Sequence, residues 1–256
     1  MQRVAVVVPT CNEARNLPHL IDRLGSVDLP GRLVGVVVVD DASTDGTPEV
    51  VAALAGRGRP PLRLLSRTAR LGLGSAYRAG YAAALDLEAD AFVQMDGDLS
   101  HAPESIPSLL AALARGADVA VGSRWVPGGS VDARWPLGRQ ALSRITNGVL
   151  LPLLVGTSHA DPTSGFRAFT RRALEAIDVP GRIRSDGYTF QVEMLCAAAA
   201  RGLRVSEVPI RFEERRAGRS KLDAATKAVA VREILALAVR ERLSRRAAQG
   251  RGAATK

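Results

Sequence analysis

The chain has 256 residues, 46% hydrophobic and 24% charged, which is ordinary globular composition; it allows one large domain or two small ones and excludes disorder outside the tail. The net charge of +9 is local: from Arg211 onward thirteen Lys or Arg face five Asp or Glu (+8), against twenty-two and twenty-one before it (+1). With aromatics at 4% and no basic cluster interleaved with them, the composition argues against a nucleic-acid binder.

Met1 leads within three residues into "VAVVVP", too short and too poorly flanked for a signal peptide, so a cytoplasmic location is expected. From there β-branched runs alternate with helical stretches: "VAVVVP" and 14–25, "VGVVVVD" and 47–56, "LRLLS" and 71–86, "AFVQMD" and 103–115, then "ADVAVGS". Val-rich runs separated by helices imply strands buried on both faces, hence an α/β fold around a mostly parallel sheet. After Arg124 the pattern becomes irregular: a loop at "VPGGSVDARWP", a helix from about 138, a turn at "ADPTSGFR", a helix near 187–201, and a strand at "RVSEVPIRF". Residues 222–246 read as a further helix, with Val231, Ile234, Leu235 and Ala238 on one face and Lys227, Arg240, Arg242, Arg245 and Arg246 around the rest. Cys11 and Cys196 lie far apart without C-x-x-C spacing, which fits neither a zinc site nor a disulfide framework.

In parallel α/β sheets ligands bind outside the carboxyl ends of the strands. Three acidic segments fall there: "PTCNE", "VDDASTDGT" and "MDGDLSH". Turn chemistry explains each singly, with Thr44 or Asp45 opening the following helix, but not why Glu13, Asp40, Asp41, Asp96 and Asp98 should share one edge. A divalent cation is the economical remedy. Asp96 and Asp98 with an incoming diphosphate make a plausible shell for Mg²⁺ or Mn²⁺, and Asp41 is left to meet a nucleoside. "LGLGSAYRAG" lacks the third glycine of a dinucleotide fingerprint, with Tyr77 in its place, so no nicotinamide cofactor is expected.

"VVVPTCNEARNL", "VVVVDDASTDGT", "LGLGSAYRAGY", "MDGDLSHAP", "GSRW", "RQALSRITN", "SGFR", "GYTFQVE" and "RRAGRSKL" occur in the order seen in glycosyltransferase family 2, and most closely resemble its polyprenol-phosphate (dolichol-phosphate) mannosyltransferases. The resemblance covers roughly residues 4 to 222. It implies a GT-A (Rossmann-like) fold and inverting transfer of mannose from GDP-mannose to a polyprenyl monophosphate, giving polyprenyl-phosphate-mannose and GDP. It also implies nucleotide contacts at Pro9, Cys11, Glu13, Val39 and Asp41, and metal and diphosphate contacts at Asp96, Gly97, Asp98 and Ser100. Phosphate contacts are implied at Arg124, Arg139, Ser143, Arg215 and Lys221, the acceptor phosphate falling to Arg124, Arg139 and Ser143. Two residues depart from the family pattern: Cys11 stands where an aromatic is frequent, and Ser100 where some members have Gln.

The chemistry agrees with this. Fixed cations and a metal lower the barrier to breaking a glycosyl–diphosphate bond, and Arg215 and Lys221 lie in R-x-x-G-x-S-K, where Gly218 permits a turn and Ser220 adds a donor for a closing loop. A phosphate acceptor, with a second pKa of about 6, is already nucleophilic near neutrality, so the site needs arginines rather than a base. Arg139, Ser143 and Asn147, spaced by four, make one polar stripe on a helix. The alternative, a soluble family 2 enzyme using a UDP-sugar such as UDP-glucose on a lipid phosphate or a saccharide hydroxyl, needs a general base in the hydroxyl case. His19, His101 and His159 offer none with an evident partner. The expected organisation is a catalytic domain over 1–221 and a basic amphipathic helix and tail over 222–256. With "GVLLPLLVG" at 148–156, that helix predicts peripheral contact with the inner face of the plasma membrane, alongside an integral membrane partner.

Overall fold

The computed structural model describes residues 2–57, 60–214 and 229–242. In chain order the elements are β1 (Gln2–Thr10), α1 (Leu17–Ser26), β2 (Gly31–Asp40), α2 (Thr47–Ala55), β3 (Leu62–Ser66), α3 (Leu73–Leu85), β4 (Ala91–Gln94), α4 (Ile106–Ala114) and β5 (Val119–Ser123). They continue as β6 (Ser130–Val131), α5 (Leu137–Ile145), α6 (Leu151–Val155), β7 (Arg167–Thr170), α7 (Arg171–Ile177), α8 (Val179–Arg182), α9 (Phe190–Ala199), β8 (Val205–Pro209) and β9 (Arg211–Phe212). A final helix, α10, includes residues 229–242.

Seven strands form one sheet in the order β3-β2-β1-β4-β7-β5-β8. Six run in the same direction and β7 runs against its neighbours β4 and β5, so the sheet is the mostly parallel one expected. Alternate side chains of each central strand point to opposite faces, as the pleat requires. Val4, Val6 and Val8 pack with α1, α2 and α4, and Ala5 and Val7 with α3, α7 and α9. Helices on both sides therefore leave the carboxyl edge of the sheet open for loops.

Glycine brings α3 close to that edge. A Cβ on Gly80 would lie 2.4 Å from Val7 Cγ1 and 3.0 Å from Val39 Cγ2, so the helix rests directly on β1 and β2. The glycines of "LGLGSAYRAG" thus serve packing and a turn; Gly72, at φ 93°, takes a backbone conformation that disfavours other residues.

The irregular third of the chain holds what periodicity did not show. β7 and α7 were not expected, and the helix begun at Leu137 passes through a π turn over Thr146–Leu150 into α6. In α10 the face turned to the protein carries Leu237 and Ala238, packed with Leu151, Val155, Val192 and Cys196, and Arg240 pairs with the buried Glu193. Val231, Leu235 and Val239 remain exposed. The apolar face drawn from the sequence therefore divides: Ile234 and Ala238 turn inward, Val231 and Leu235 outward. Lys227, Arg245 and Arg246 lie outside the described residues. No described helix is long and apolar enough to cross a membrane.

Candidate active site

The loops after β1, β2 and β4 converge, and each carries a non-glycine residue at positive φ: Asn12 at 58°, Ala42 at 57° and Leu99 at 66°. Such strained residues cluster at sites that the surrounding structure over-determines. Here the determination is visible. Asn12 N–H donates to Ser43 Oγ at 2.8 Å and its Oδ1 accepts from Thr44 N at 2.8 Å, while Glu13 N–H donates to Thr47 Oγ1 at 3.0 Å.

Within the acidic cluster, Asp40, Asp41 and Glu13 accept hydrogen bonds from the protein itself. Asp40 accepts from the Ser43 hydroxyl and backbone N–H. Asp41 accepts from the N–H groups of Leu71 and Gly72 at 2.9 and 3.0 Å and faces Arg67 at 3.4 Å, so it anchors the start of α3 while a nucleoside would have to use its remaining lone pairs. Glu13 accepts from Asn16 at 2.7 Å. Asp45 accepts from Thr47 N at 3.1 Å, but the N-cap of α2 is Gly46, at φ 85°, and not Thr44 or Asp45 as expected; burial raises the pKa of Asp45, but the Thr47 hydroxyl and the backbone donors prevail and lower it.

Asp96 and Asp98 differ in setting. Asp98 is buried and its Oδ1 accepts from Ser100 N at 3.0 Å. The Asp96 side chain is 34% exposed, with Tyr77 donating to its Oδ1 at 3.3 Å. Gly97 between them packs closely on β1, where a Cβ would lie 3.1 Å from Thr10 Cγ2. Beneath Asp96 lies His101, fully buried, stacked on Phe166 at 5.0 Å and edge-on to Phe212 at 5.4 Å. Its Nδ1 accepts the Asp96 N–H at 3.1 Å, so the ring proton of the neutral form sits on Nε2, and burial lowers its pKa. It supports the loop through its contact with the Asp96 backbone.

Phe212 joins this acidic loop to the basic side of the cleft. Its ring also meets Trp135 at 5.3 Å and carries the Arg124 guanidinium 5.4 Å above its centroid. Trp135 in turn carries Arg139 at 3.6 Å, and Arg139 faces Glu214 at 3.4 Å. Arg124 is held by the fully buried Asp161, at 2.7 Å from Nε and 2.6 Å from Nη2. The expected polar stripe changes at its end: Asn147 is buried, and its amide donates to Ser143 O at 2.9 Å while accepting from Thr163 N at 3.2 Å. Pro9 and Val39 are buried at the ends of β1 and β2, Cys11 is half-buried, and Ser100 is buried. Arg215 and Lys221, with Gly218 and Ser220, lie outside the described residues.

The structure thus brings Asp96, Asp98, Arg124 and Arg139 around one aromatic junction. Sequence reasoning missed Trp135, Asp161 and Phe212, whose contacts depend on tertiary proximity. Among the described residues no three His, Cys, Asp or Glu side chains form a ready metal cluster. Two hard carboxylates flanking a glycine suit a divalent ion of the Mg²⁺ or Mn²⁺ type, and Asp96 and Asp98 are the residues that would hold it.

Comparisons agree with this geometry. Residues 5–178 match the glycosyl transferase family 2 model. The chain is 40% identical over 244 residues to a polyprenol monophosphomannose synthase of Mycolicibacterium smegmatis (95% of this chain, 90% of that one). It is 43% identical over 221 residues to an undecaprenyl-phosphate mannosyltransferase of Micrococcus luteus (86% and 87%). Among solved structures, glucosyl-3-phosphoglycerate synthase from Mycobacterium tuberculosis, in complex with Mn²⁺, UDP and its product, superposes with a TM-score of 0.66 at 22% identity, covering 94% of this chain and 80% of that one. The sheet, the acidic loops and these relatives lead to one placement: the chain belongs to glycosyltransferase family 2.

Proposed function

We propose that this protein transfers mannose from GDP-mannose to the phosphate of a polyprenyl monophosphate, with inversion, releasing GDP. The observation that carries the reading is the aromatic junction, where Phe212 sets a loop bearing two carboxylates against Arg124 and Arg139. A hydroxyl acceptor would have little use for two guanidinium groups and would need a base. The relatives' names supply the sugar and the lipid class.

Asp96 and Asp98 are the residues that would hold Mg²⁺ or Mn²⁺, which when bound neutralises charge growing on the departing diphosphate. Pro9, Cys11, Glu13, Val39 and Asp41 line the nucleotide side, with Gly97 and Ser100 beside the diphosphate. Arg139, stacked on Trp135 and paired with Glu214, and Arg124, through the edge that Asp161 does not occupy, together with Ser143 seat the acceptor phosphate. Arg215 and Lys221 complete the donor side. The dianionic acceptor attacks without losing a proton.

Exposed Leu137, Leu142, Ile145, Val149 and Leu153, on α5, the π turn and α6, give the acceptor side an apolar rim suited to the surface of a bilayer. We assign the protein to the cytoplasmic face of the plasma membrane as a peripheral enzyme, with α10 and the basic residues after it at the lipid surface and an integral partner nearby.

The test incubates purified protein with Mg²⁺ or Mn²⁺, decaprenyl phosphate and each labelled nucleotide sugar. Organic-soluble label from GDP-mannose, abolished by EDTA or Asp98→Asn, is expected. Full turnover of Asp98→Asn would overturn the metal role, and label from UDP-glucose instead would favour the other donor.

A further inference from the structure

We infer that Asp161 is a positioning residue of the acceptor site, acting through Arg124. The inference rests on the proposed reading that Arg124 meets the acceptor phosphate, and it concerns a side chain that touches no substrate. Asp161 is fully buried, yet each of its oxygens is satisfied: Oδ2 accepts from Arg124 N at 2.9 Å and Nε at 2.7 Å, and Oδ1 from Arg124 Nη2 at 2.6 Å and Thr163 Oγ1 at 3.3 Å. The fork therefore binds one edge of the guanidinium and leaves Nη1 on the other.

The backbone of the turn that carries this carboxylate is clamped from two sides. Glu207, on β8, accepts the N–H groups of Ala160 and Asp161 at 2.7 and 2.9 Å. Arg167, fully buried behind the turn, donates to the carbonyls of Pro162 and Ser164 at 2.7 and 2.9 Å. A free arginine loses rotamer entropy when it is fixed on a ligand. Here that ordering is complete before a phosphate arrives.

A buried ion pair is a poor device for stability, since a well-packed apolar pair would serve as well. Its use here is geometric. The negative charge of Asp161 also offsets the positive charge of Arg124, so this arginine selects an anion by hydrogen-bond direction. Thr163 extends the arrangement: its hydroxyl accepts from Arg124 Nη2 at 3.0 Å and its N–H reaches Asn147 in the π turn, keying Arg124 to the helix that bears the exposed apolar rim.

The experiment uses the full chain with GDP-mannose, Mg²⁺ and farnesyl monophosphate in detergent micelles. Thermal unfolding and GDP binding verify that each variant is folded. Asp161→Asn is expected to raise the acceptor KM about tenfold, and Thr163→Val about threefold, with the donor KM unchanged, as befits losing charge-assisted or neutral hydrogen bonds. In Arg124→Gln, adding Asp161→Asn should cause no further loss, because the two changes share one route. An additive double variant, or an acceptor KM that moves with Arg124→Gln and not with Asp161→Asn, overturns the inference alone. An acceptor KM indifferent to Arg124→Gln itself would bring down the reading of Arg124 and this inference with it.

Discussion

Arg124 and Arg139 look equivalent as letters in the sequence, and their surroundings make them opposites. Arg124 pairs directly with the fully buried Asp161, so Arg124→Ala leaves that carboxylate without its ion-pair partner and is expected to cost about 3–5 kcal/mol in urea unfolding. Arg139 is 44% exposed and its pairing with Glu214 is screened by water, so Arg139→Ala should cost about 1 kcal/mol or less while abolishing transfer and sparing GDP binding. Retained transfer in Arg139→Ala would remove it from the acceptor site. His101→Ala removes a stacked ring and the acceptor for Asp96 N–H; about 2–4 kcal/mol of stability should be lost and the donor KM raised. The acid limb of the pH–rate profile, set near pH 6 by the acceptor phosphate, should stay where it was. A limb displaced by His101→Ala would return the imidazole to the list of bases.

At the scale of elements, an exposed helix face and a buried one can be tested apart. Leu153→Glu lies on the exposed face of α6 and should alter stability by no more than about 0.5 kcal/mol, yet weaken sedimentation with anionic vesicles. Unchanged sedimentation would place the lipid surface elsewhere. Gly80→Ala on α3 forces a Cβ against Val7 and should cost about 1–3 kcal/mol, read as a lowered Tm. Legibility follows the same division. β1 and β2 were readable because fully buried parallel strands must be written in unbroken Val runs, and the acidic pair because both carboxylates fall within three residues. β7 was not: "RAFT" is four residues long, begins with an arginine that is fully buried and donates to backbone carbonyls, and runs antiparallel where the pattern suggested parallel. Asp161, Trp135 and Phe212 escaped for a related reason, since each acts through another residue's side chain and no spacing encodes that.

For the molecule as a whole, the sheet order places the ends of β1, β2, β4 and β5 along one edge, so donor and acceptor machinery share a rigid floor while the apolar rim stands beside it. The strand that completes this floor is also the one that comes late. β4 forms its ladder with β7, Phe92 opposite Phe169, and both β5 and the whole acceptor-side helix are synthesised between them. During translation the emerging amino-terminal half must therefore carry an unsealed, strongly apolar strand margin until the ribosome has delivered the segment that closes it, a situation that invites wrong partners. A fragment ending at Ser123 should accordingly accumulate in inclusion bodies, while the complete chain stays in the supernatant or with lipid.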